Sequence, residues 1–326
     1  MAWLQSKQIN PPVVRQNYNN FHIPENLRVL CGNLSPLKKS ILFIVNPISG
    51  GKDKTGFPKL VEQHLDKNKF DVEYVYTEAE GHAKSIAAGA VANNTDIIVS
   101  VGGDGTMNEI ASAVEGSGKI IGIVPYGSGN GLARSLGIPM NLKQAVRRFN
   151  NSSQDTIDSG VLNGRKFFNM AGMGFDATIS TRFAEDKTRG LIGYVKTTLQ
   201  EISNYKPQKY KIEVDGKLHE YEAFMLSIAN SSQFGNNAHI APSASVRDGL
   251  LDVCIIKPFP LYLFPVMGYH MFSNTADKSP YVEIVKGKKI RIIREQPGPV
   301  HVDGEPCQMG EEIAIDVKPL SLNVLK

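Results

Sequence analysis

A short glycine-rich run contains the residues best suited to chemistry in this sequence of 326 residues. Gly102-Gly-Asp-Gly-Thr106 follows an apolar stretch over residues 96–101 and precedes a helical pattern that begins at Asn108. A strand, a glycine turn and a helix together present backbone N–H groups and a helix N-terminus to an anion such as phosphate. The carboxylate of Asp104 would repel that phosphate unless a divalent cation or a reacting hydroxyl lies between them. The run therefore predicts phosphoryl transfer.

Two other glycine-rich turns follow predicted strands of the same region. Asn46-Pro-Ile-Ser-Gly-Gly51 follows an apolar run, and Pro125-Tyr-Gly-Ser-Gly-Asn-Gly131 follows another. Each turn alone could simply reverse the chain. Strands that alternate with helices, however, predict a parallel sheet covered on both faces, whose ligands bind beyond the C-terminal strand ends. The predicted strands cover residues 41–45, 70–77, 96–101 and 119–124, with a helix over 82–92. We therefore expect the three turns and Thr77 to open on one nucleotide site.

The pattern becomes mostly β after Asp155. Alternating runs separated by Asn-Gly and Asp-Gly turns predict an antiparallel sandwich packed beside the α/β domain. The predicted strands cover residues 156–162, 166–170, 209–214, a second run to Ala229, 250–256, 281–285, 289–293 and 313–317. Helical stretches are predicted over 194–203 and 261–272, and the second suits a core helix better than a membrane-contact helix. The predicted domains are an extension over 1–38, an α/β domain over 39–155 and a sandwich over 156–311.

Composition limits the class of protein. The chain is 41% hydrophobic and 21% charged, with a net charge of +4 and a pI of about 8.8. This balance suits anionic ligands or an anionic membrane surface and is too weak to favour nucleic acid. Cys31, Cys254 and Cys307 lack metal-type spacing, so we expect reduced thiols and a cytoplasmic location. No apolar window approaches the ~20 residues of a spanning helix, so work on a lipid would proceed from the membrane surface.

Three further clusters allow two interpretations each. Asp248-Gly-Leu-Leu-Asp252 could be a turn, or Asp248 could hold a divalent cation together with backbone carbonyls. Asp303-Gly-Glu305 could be an ordinary hairpin turn, favoured by spacing alone, or a carboxylate pair that tunes a general base. The basic cluster of Arg182, Lys187 and Arg189 could be a solvated loop or a clamp for triphosphate oxygens.

As a set, these motifs resemble the diacylglycerol kinase catalytic domain family. That family includes bacterial lipid kinases, diacylglycerol kinases, sphingosine kinases and ceramide kinases. The resemblance runs from about Ser40 to the C-terminus and leaves residues 1–38 unmatched. Five motifs carry it, in family order: Asn46-Pro-x-Ser-Gly50, Gly102-Gly-Asp-Gly-Thr106, Gly127-Ser-Gly-Asn130 with Ala133-Arg134, Asp248-Gly-Leu-Leu-Asp252 and Asp303-Gly-Glu305.

The resemblance implies an α/β fold: a three-layer ATP-binding domain, related to those of NAD kinase and phosphofructokinase, and an antiparallel β-sandwich that helps form the lipid site. Residues 312–326 would return to the first domain. The implied nucleotide contacts are Asn46, Pro47, Ser49, Gly50, Thr77, Gly102, Gly103, Asp104, Gly105, Thr106, Asn108 and Ser128, with Arg182 and Arg189 offsetting phosphate charge. A magnesium ion would be held by Asp248 and the backbone carbonyls of Ser245 and Leu250. Glu305 falls where bacterial members place the proton acceptor, with Asp303 and Asp104 shaping the magnesium network.

Two departures from the family pattern concern the substrate and the metal. Gly131 stands where many members have an aspartate, which removes a carboxylate from the metal network, while Ser128 keeps the hydroxyl of the usual threonine. The Ser-Gly-Asn version is similar to sphingosine and ceramide kinases. Sphingosine kinases, however, carry an acidic residue for the amino alcohol two positions beyond Asp176, and here that position is Thr178. The absence of cysteine-rich regulatory modules from the sequence favours the compact bacterial type.

The resulting prediction is an ATP- and Mg²⁺-dependent lipid kinase that phosphorylates a hydroxyl of a lipid such as diacylglycerol. A sphingoid-base or ceramide-type kinase is the first alternative. An NAD kinase-like enzyme and a non-catalytic nucleotide sensor are further alternatives. The expected partners are a lipid substrate, a membrane surface contacted peripherally, and a second copy in a homodimer, with no nucleic acid.

Overall fold

The structure is a computed structural model that describes residues 38–185, 198, 200–202 and 204–326. Cys31, Lys187, Arg189, nearly all of the predicted extension and most of the helix predicted over 194–203 lie outside the described residues.

The first part of the described chain alternates strands with helices, as a parallel sheet requires. Its strands pair in the order β2-β1-β3-β4, all parallel. The elements are β1 (Lys39–Val45), α1 (Phe57–His64), β2 (Phe70–Tyr76), α2 (His82–Ala92), β3 (Ile97–Gly102), α3 (Asp104–Val114), β4 (Ile120–Pro125), α4 (Gly131–Ser135) and α5 (Leu142–Arg148). The strand order changes direction between β1 and β3, which is where open sheets of this kind bind ligands.

Side-chain composition explains why this sheet is buried on both faces. The residues of β3 are all buried, and the apolar residues of β1 point alternately to two separate clusters. One cluster contains Leu42 and Ile44 with helices α2 and α3, and the other contains Phe43 with Phe57 and Phe149. A strand with period-two alternation between two covered faces reads as a continuous apolar run.

The second part forms two sheets that pack face to face. The elements are β5 (Gln154–Leu162), β6 (Arg165–Phe167), β7 (Met170–Gly174), α6 (Phe175–Glu185), β8 (Gln208–Val214), β9 (Lys217–Ala223), β10 (Met225–Ala229), β11 (Gln233–Gly235), β12 (Ala238–His239), β13 (Leu251–Ile256), α7 (Phe264–Phe272), β14 (Val282–Gly287), β15 (Lys289–Arg294), β16 (Gly298–Val302), β17 (Glu305–Met309) and β18 (Glu312–Leu325). A six-stranded sheet has the order β14-β13-β10-β7-β16-β17. Its inner face shares an apolar core with β5, β8, β15 and β18.

The strand β18 connects the two parts. Residues 312–316 pair with β15, whereas Asn323 and Val324 pair in parallel with β4. The result is one ten-stranded sheet that contains the parallel strands and one layer of the sandwich. Leu322 and Val324 lie in the core of the α/β part.

The predicted α/β fold with a parallel sheet and an antiparallel sandwich is confirmed. Three details of the prediction are wrong. The run that ends at Ala229 divides into β9 and β10, which belong to different sheets, and the predicted strand 166–170 divides into β6 and the start of β7. Arg182 lies in helix α6 and not in a loop. Within the described residues, no helix has the length and apolar character needed to cross a membrane.

Candidate functional site

The three glycine-rich turns pack against one another at the C-terminal edge of the parallel sheet. A side chain at Gly50, where φ is +65°, would lie 1.9 Å from the carbonyl oxygen of Tyr126. A Cβ atom at Gly127 would lie 2.5 Å from the Cα atom of Gly103. These positions require glycine because backbone touches backbone. The predicted meeting of the turns is therefore observed.

Asp104 is the first residue of α3, and its carboxylate connects two of these turns. Its Oδ2 accepts a hydrogen bond from the backbone N–H of Asn130, and its Oδ1 accepts one from Gly131, each at 2.8 Å. Burial raises the pKa of Asp104 to about 6, although both backbone donors lower it, and the negative charge of Asp303 adds to the rise. The two hydrogen bonds fix the position of this acidic group beside the N-terminus of a helix.

The glycine-rich turn of residues 46–51 is fixed by a side-chain hydrogen bond and by a buried lysine. The Nδ2 of Asn46 donates to the Oγ1 of Thr106 at 2.9 Å, which joins this turn to α3. Lys54 is buried, and its ammonium donates to the carbonyl oxygens of Pro47, Ser49 and Lys52 at 2.5–3.3 Å. Burial lowers the pKa of Lys54. Sequence reasoning missed this lysine because lysine side chains are usually solvated.

Asp303 lies in the turn between β16 and β17, and four N–H groups surround its carboxylate. Its Oδ1 accepts from the backbone N–H groups of Asn169 and Met170, and its Oδ2 accepts from Phe168, at 2.9–3.0 Å. The Nδ2 of Asn108, on α3, donates to the same Oδ2 at 2.8 Å. Asp303 therefore joins the sandwich to the helix that begins at Asp104. Burial raises its pKa, against the effect of these donors.

Glu305 lies over the first turn of α3. A Cβ atom at Gly105 would lie 2.3 Å from the Oε1 of Glu305, so the carboxylate contacts the helix where glycine leaves space. Solvent reaches the Glu305 side chain, but partial loss of hydration raises its pKa, and the negative charges of Glu109 and Glu80 raise it further. Such a carboxylate is suited to accept a proton near neutral pH.

A buried histidine–aspartate pair lies behind this turn and was not predicted. The Nε2 of His301 is 2.5 Å from the Oδ2 of Asp176, and both residues are buried. A Cβ atom at Gly172 would lie 2.4 Å from that Nε2, so glycine makes the pair possible. Burial lowers the pKa of His301, but the Asp176 carboxylate outweighs it, and the net shift is upward. No sequence signal relates these two positions, which are 125 residues apart.

A lysine contacts Asp248, the side chain that was predicted to hold a magnesium ion. The Nζ of Lys286 lies 3.3 Å from the Oδ2 of Asp248, 3.4 Å from the Oδ2 of Asp252 and 3.1 Å from the carbonyl oxygen of Ser243. Asp252 is buried, neither of its oxygens has a hydrogen bond, and burial raises its pKa. An acidic, partly unsatisfied donor set of this kind fits a cation. Among the described residues, no three His, Cys, Asp or Glu side chains group around a metal position, so an ion here would rely on carbonyl oxygens.

A buried aspartate holds this loop to the rest of the molecule. Asp158 accepts from the backbone N–H of Gly249 at 2.8 Å and from that of Leu320 at 2.7 Å. Two side chains of the loop make local turn contacts. The Oγ of Ser245 accepts a hydrogen bond from the backbone N–H of Arg247, and the Oδ1 of Asp248 accepts one from that of Leu250. The sequence did not predict a role for Asp158, because this residue lies within an ordinary strand pattern.

The other predicted site residues divide into two groups. Pro47, Ser49, Gly102, Thr106 and Ser128 belong to the packed turns. Thr77 follows β2 at the same edge, with its backbone N–H bonded to Val45. Arg182 instead lies on α6, 3.5 Å from the carboxylate of Glu201, and α6 packs on β16 and β17. Arg189 lies outside the described residues.

The packing around position 131 explains why this residue is glycine in this chain. A Cβ atom there would lie 2.3 Å from the Nδ2 of Asn169 and 2.8 Å from the backbone oxygen of Phe234. The aspartate common at this position in the family pattern has no space here. Asn169 itself lies beside Asp303, because its backbone N–H is one of the donors to that carboxylate.

Comparison with known proteins identifies both parts of the fold. Residues 40–162 match the model of the diacylglycerol kinase catalytic domain, and residues 169–326 match the YegS C-terminal NAD kinase beta sandwich-like domain. A protein named "Probable lipid kinase YegS-like" from Pseudomonas aeruginosa is 31% identical over 76% of this chain and 82% of its own length. A diacylglycerol kinase from Bacillus subtilis is 26% identical over 82% of this chain and 90% of its own length.

A solved structure supports the fold independently. The crystal structure of a diacylglycerol kinase from Bacillus anthracis has a TM-score of 0.65 at 20% identity, and the match covers 88% of this chain and 96% of the other. With the matched domains, the relatives and the packed glycine turns in agreement, the chain belongs to the diacylglycerol kinase catalytic domain family of lipid kinases.

Proposed function

We propose that the protein transfers the γ-phosphate of ATP, with Mg²⁺, to a hydroxyl of a lipid such as diacylglycerol. The observation that carries the proposal is the position of Glu305, whose carboxylate contacts α3 at Gly105, beside the N-terminus where three glycine turns meet. A phosphate cradle and a carboxylate with a raised pKa are then immediate neighbours.

The nucleotide would lie along the packed turns, against Asn46, Pro47, Ser49, Gly50, Thr77, Gly102–Thr106, Asn108 and Ser128, with Arg182 and Arg189 near the phosphates. Backbone N–H groups and the N-terminus of α3 would stabilise the phosphate charge. The domains that we propose are an α/β domain over 39–155, a sandwich over 156–311 and a return of 312–326 to the first. The pairing of β18 with β4 supports that return.

Glu305 would accept the proton of the lipid hydroxyl. The lipid oxygen forms a bond to the γ-phosphorus while the bond from phosphorus to the β–γ bridging oxygen breaks, and ADP leaves. Asp303 would act differently, because four N–H donors already occupy its carboxylate. We assign it the positioning of the β16–β17 turn, which places Glu305 over α3.

Asp104 is the residue that fits a catalytic magnesium ion, being an acidic side chain with a fixed position beside the phosphate cradle. When bound, the ion would neutralise charge on the transferred phosphoryl group. A second ion would be held by Asp248 with the carbonyls of Ser245 and Leu250, and the pairing of Lys286 with Asp248 and Asp252 supports a cation in that region.

A neutral lipid alcohol fits the described residues better than an amino alcohol. Thr178 occupies the position at which the resemblance to sphingosine kinases would require an acid, and its hydroxyl donates to the backbone oxygen of Gly174 at 3.1 Å. The acidic neighbour Asp176 is paired with His301. An ammonium group of a sphingoid base would therefore lack a free carboxylate partner at Thr178.

The test is a phosphate-transfer assay with labelled ATP and Mg²⁺ on separate vesicles that contain diacylglycerol, ceramide or sphingosine, with the product identified by mass. We expect diacylglycerol to be phosphorylated most efficiently. NAD⁺ serves as a soluble competitor: its phosphorylation would favour the NAD kinase-like alternative. Binding of ATP with no transfer to any lipid would favour a nucleotide sensor.

Cytoplasmic location, peripheral membrane contact and a homodimer belong to the same proposal. Cys254 and Cys307 are free thiols, in keeping with a reducing compartment.

A further inference from the structure

The segment Leu261–Phe272 exposes an unusual set of apolar side chains. Leu261, Tyr262, Val266, Tyr269 and Phe272 are all exposed, with 79% of Tyr262 and 69% of Tyr269 accessible. We refer to these five residues as the outer face. From Tyr262 onward they recur at spacings of four, three and three residues, so they follow one side of the 3-10 turn and helix α7.

The opposite side of the same helix is also apolar, and it is packed. Met267 is buried, and Phe264 and Met271 are partly buried, in a cluster with Phe175 and Phe224. A helix on the surface of a globular protein normally turns polar residues to solvent, and one that is apolar all round is buried in protein or lipid. The inner side of α7 is thus packed against protein, whereas the outer face has no partner among the described residues.

The segment that carries the outer face contains no charged side chain. Residues 258–276 include no Asp, Glu, Lys or Arg, and the only ionisable group on the helix besides tyrosine is His270, whose Nδ1 lies 3.0 Å from the hydroxyl of Thr275. In the sequence, Lys257 precedes the uncharged stretch and Asp277 and Lys278 follow it, and Lys257 is paired with Glu283 at 2.7 Å. Insertion of this segment into an apolar medium would therefore bury no charged side chain of the segment itself, and a lysine would lie near each end.

The packed cluster behind α7 extends towards the candidate site. It contains Met170, whose backbone N–H donates to Asp303, as well as Phe175, the first residue of α6. The inner side of α7 and the β16–β17 turn are thus linked through this cluster and the hydrogen bond from Met170 to Asp303.

We propose that the outer face is the surface on which the protein docks to a phospholipid bilayer, so that the lipid substrate is taken from the membrane and not from solution. The proposal rests on the lipid kinase function proposed above. Two exposed tyrosines suit the headgroup region, where amphipathic aromatic rings concentrate. A second copy of the chain fits the outer face less well than a bilayer does. The outer face offers five side chains on a twelve-residue segment, whereas a stable protein interface uses roughly 20–30 residues from each partner.

The experiment is co-sedimentation with vesicles of phosphatidylcholine and phosphatidylglycerol. We compare the full chain with a triple variant, Tyr262→Ser, Tyr269→Ser and Phe272→Ser, and with a matched control, Leu218→Ser and Ile293→Ser, which removes exposed apolar side chains elsewhere. Thermal melting of each protein checks that it is folded. The triple variant should bind vesicles roughly tenfold or more weakly, and the control should bind like the full chain. Equal binding by all three proteins, or no binding by the full chain, would overturn the proposal.

Two further measurements separate this proposal from the proposed function. The triple variant should lose activity on diacylglycerol in vesicles but keep full activity on a short-chain diacylglycerol dispersed below its aggregation limit. If no protein phosphorylates any lipid while the triple variant still binds vesicles more weakly, the kinase assignment fails and the docking surface stands. If light scattering shows that the variant loses only dimerisation, with vesicle binding unchanged, the outer face joins two copies and the docking proposal is wrong.

Discussion

Glu305 and Asp303 are two residues apart, but their carboxylates have different surroundings. Four N–H donors saturate Asp303, whereas Glu305 is accessible to solvent and contacts α3 through the space left by Gly105. Asp303 is buried and N–H donors occupy both of its oxygens, so it is poorly placed to reach the hydroxyl of a substrate. We therefore propose that Glu305 is the proton acceptor and that Asp303 is a positioning residue.

Substitution of each residue should separate these roles. Glu305→Gln should lower kcat by about 10²–10⁴-fold with an unchanged melting temperature, since general-base catalysis contributes that range. Asp303→Asn should destabilise the fold by roughly 3 kcal/mol or more, because several buried N–H groups lose an anionic acceptor. Activity and thermal unfolding are measured on both variants. Equal stability of Asp303→Asn and wild type would contradict the positioning role.

The pH dependence of activity should report the raised pKa of Glu305. A general base acts when ionised, so activity should fall as the pH decreases through a pKa above that of an ordinary glutamate. Removal of the neighbouring negative charge in Glu109→Gln should move this acidic limb to lower pH while activity at neutral pH persists. The measurement is kcat/KM against pH at saturating ATP. A limb that stays in place in Glu109→Gln would show that another group controls it.

At the scale of elements, the close packing of turns determines which glycines are required. Gly131→Asp places a side chain against Asn169 and the backbone of Phe234, so the variant should lose ATP binding and about 2–4 kcal/mol of stability. Gly89→Ala is the control, because it lies within α2 with no atom near the new Cβ, and it should stabilise the helix by about 1 kcal/mol. Nucleotide binding by calorimetry and thermal melting test both. Normal ATP binding by Gly131→Asp would refute the packing argument.

The Asp248 loop offers a second test at this scale. Lys286→Met removes the ammonium between Asp248 and Asp252 and should lower the melting temperature by about 2–6 °C, or about 1–2 kcal/mol. Added Mg²⁺ should restore part of that loss, because a cation would again neutralise the two carboxylates. The double variant Lys286→Met with Asp248→Asn should respond less to Mg²⁺. If Mg²⁺ leaves Lys286→Met unchanged, the loop does not hold the ion.

The sequence alone predicted the elements whose residue patterns involve only neighbours in the chain. The apolar runs of β1 and β3, the helix over 82–92 and the glycine turns depend on neighbours within a few residues, and the structure has them where expected. The division of the run ending at Ala229 between two sheets depends on strands distant in the chain. The bonds from residues 168–170 to Asp303 cross about 135 residues, so no pattern of spacing could show that its carboxylate is saturated. Asp158 and the Asp176–His301 pair escaped prediction for the same reason. The contacts of Lys54 are local, and it was missed because lysine side chains are usually solvated.

At the scale of the whole molecule, β18 makes the two parts depend on each other. Leu322 is buried in the α/β core, although it belongs to β18, whose first residues pair within the sandwich. Leu322→Ala should therefore destabilise the protein by about 2–5 kcal/mol and weaken ATP binding at the distant turns. Leu320→Asn is the control, since Leu320 is exposed and has a φ of +46°, a conformation that asparagine tolerates better. Denaturant unfolding measures both, and an α/β part that survives Leu322→Ala intact would contradict the dependence.

The same strand has a consequence for biosynthesis. A nascent chain that has left the ribosome only as far as residue 155 would hold β4 with the side that later pairs with β18 still open, and with the places of Leu322 and Val324 in the core unfilled. Parallel pairing across so long a separation forms late, and until then the open strand edge invites chaperones or aggregation. Under the proposed function, the glycine turns would therefore become competent to bind ATP only after the sandwich has been synthesised, so that no half-made chain could consume ATP.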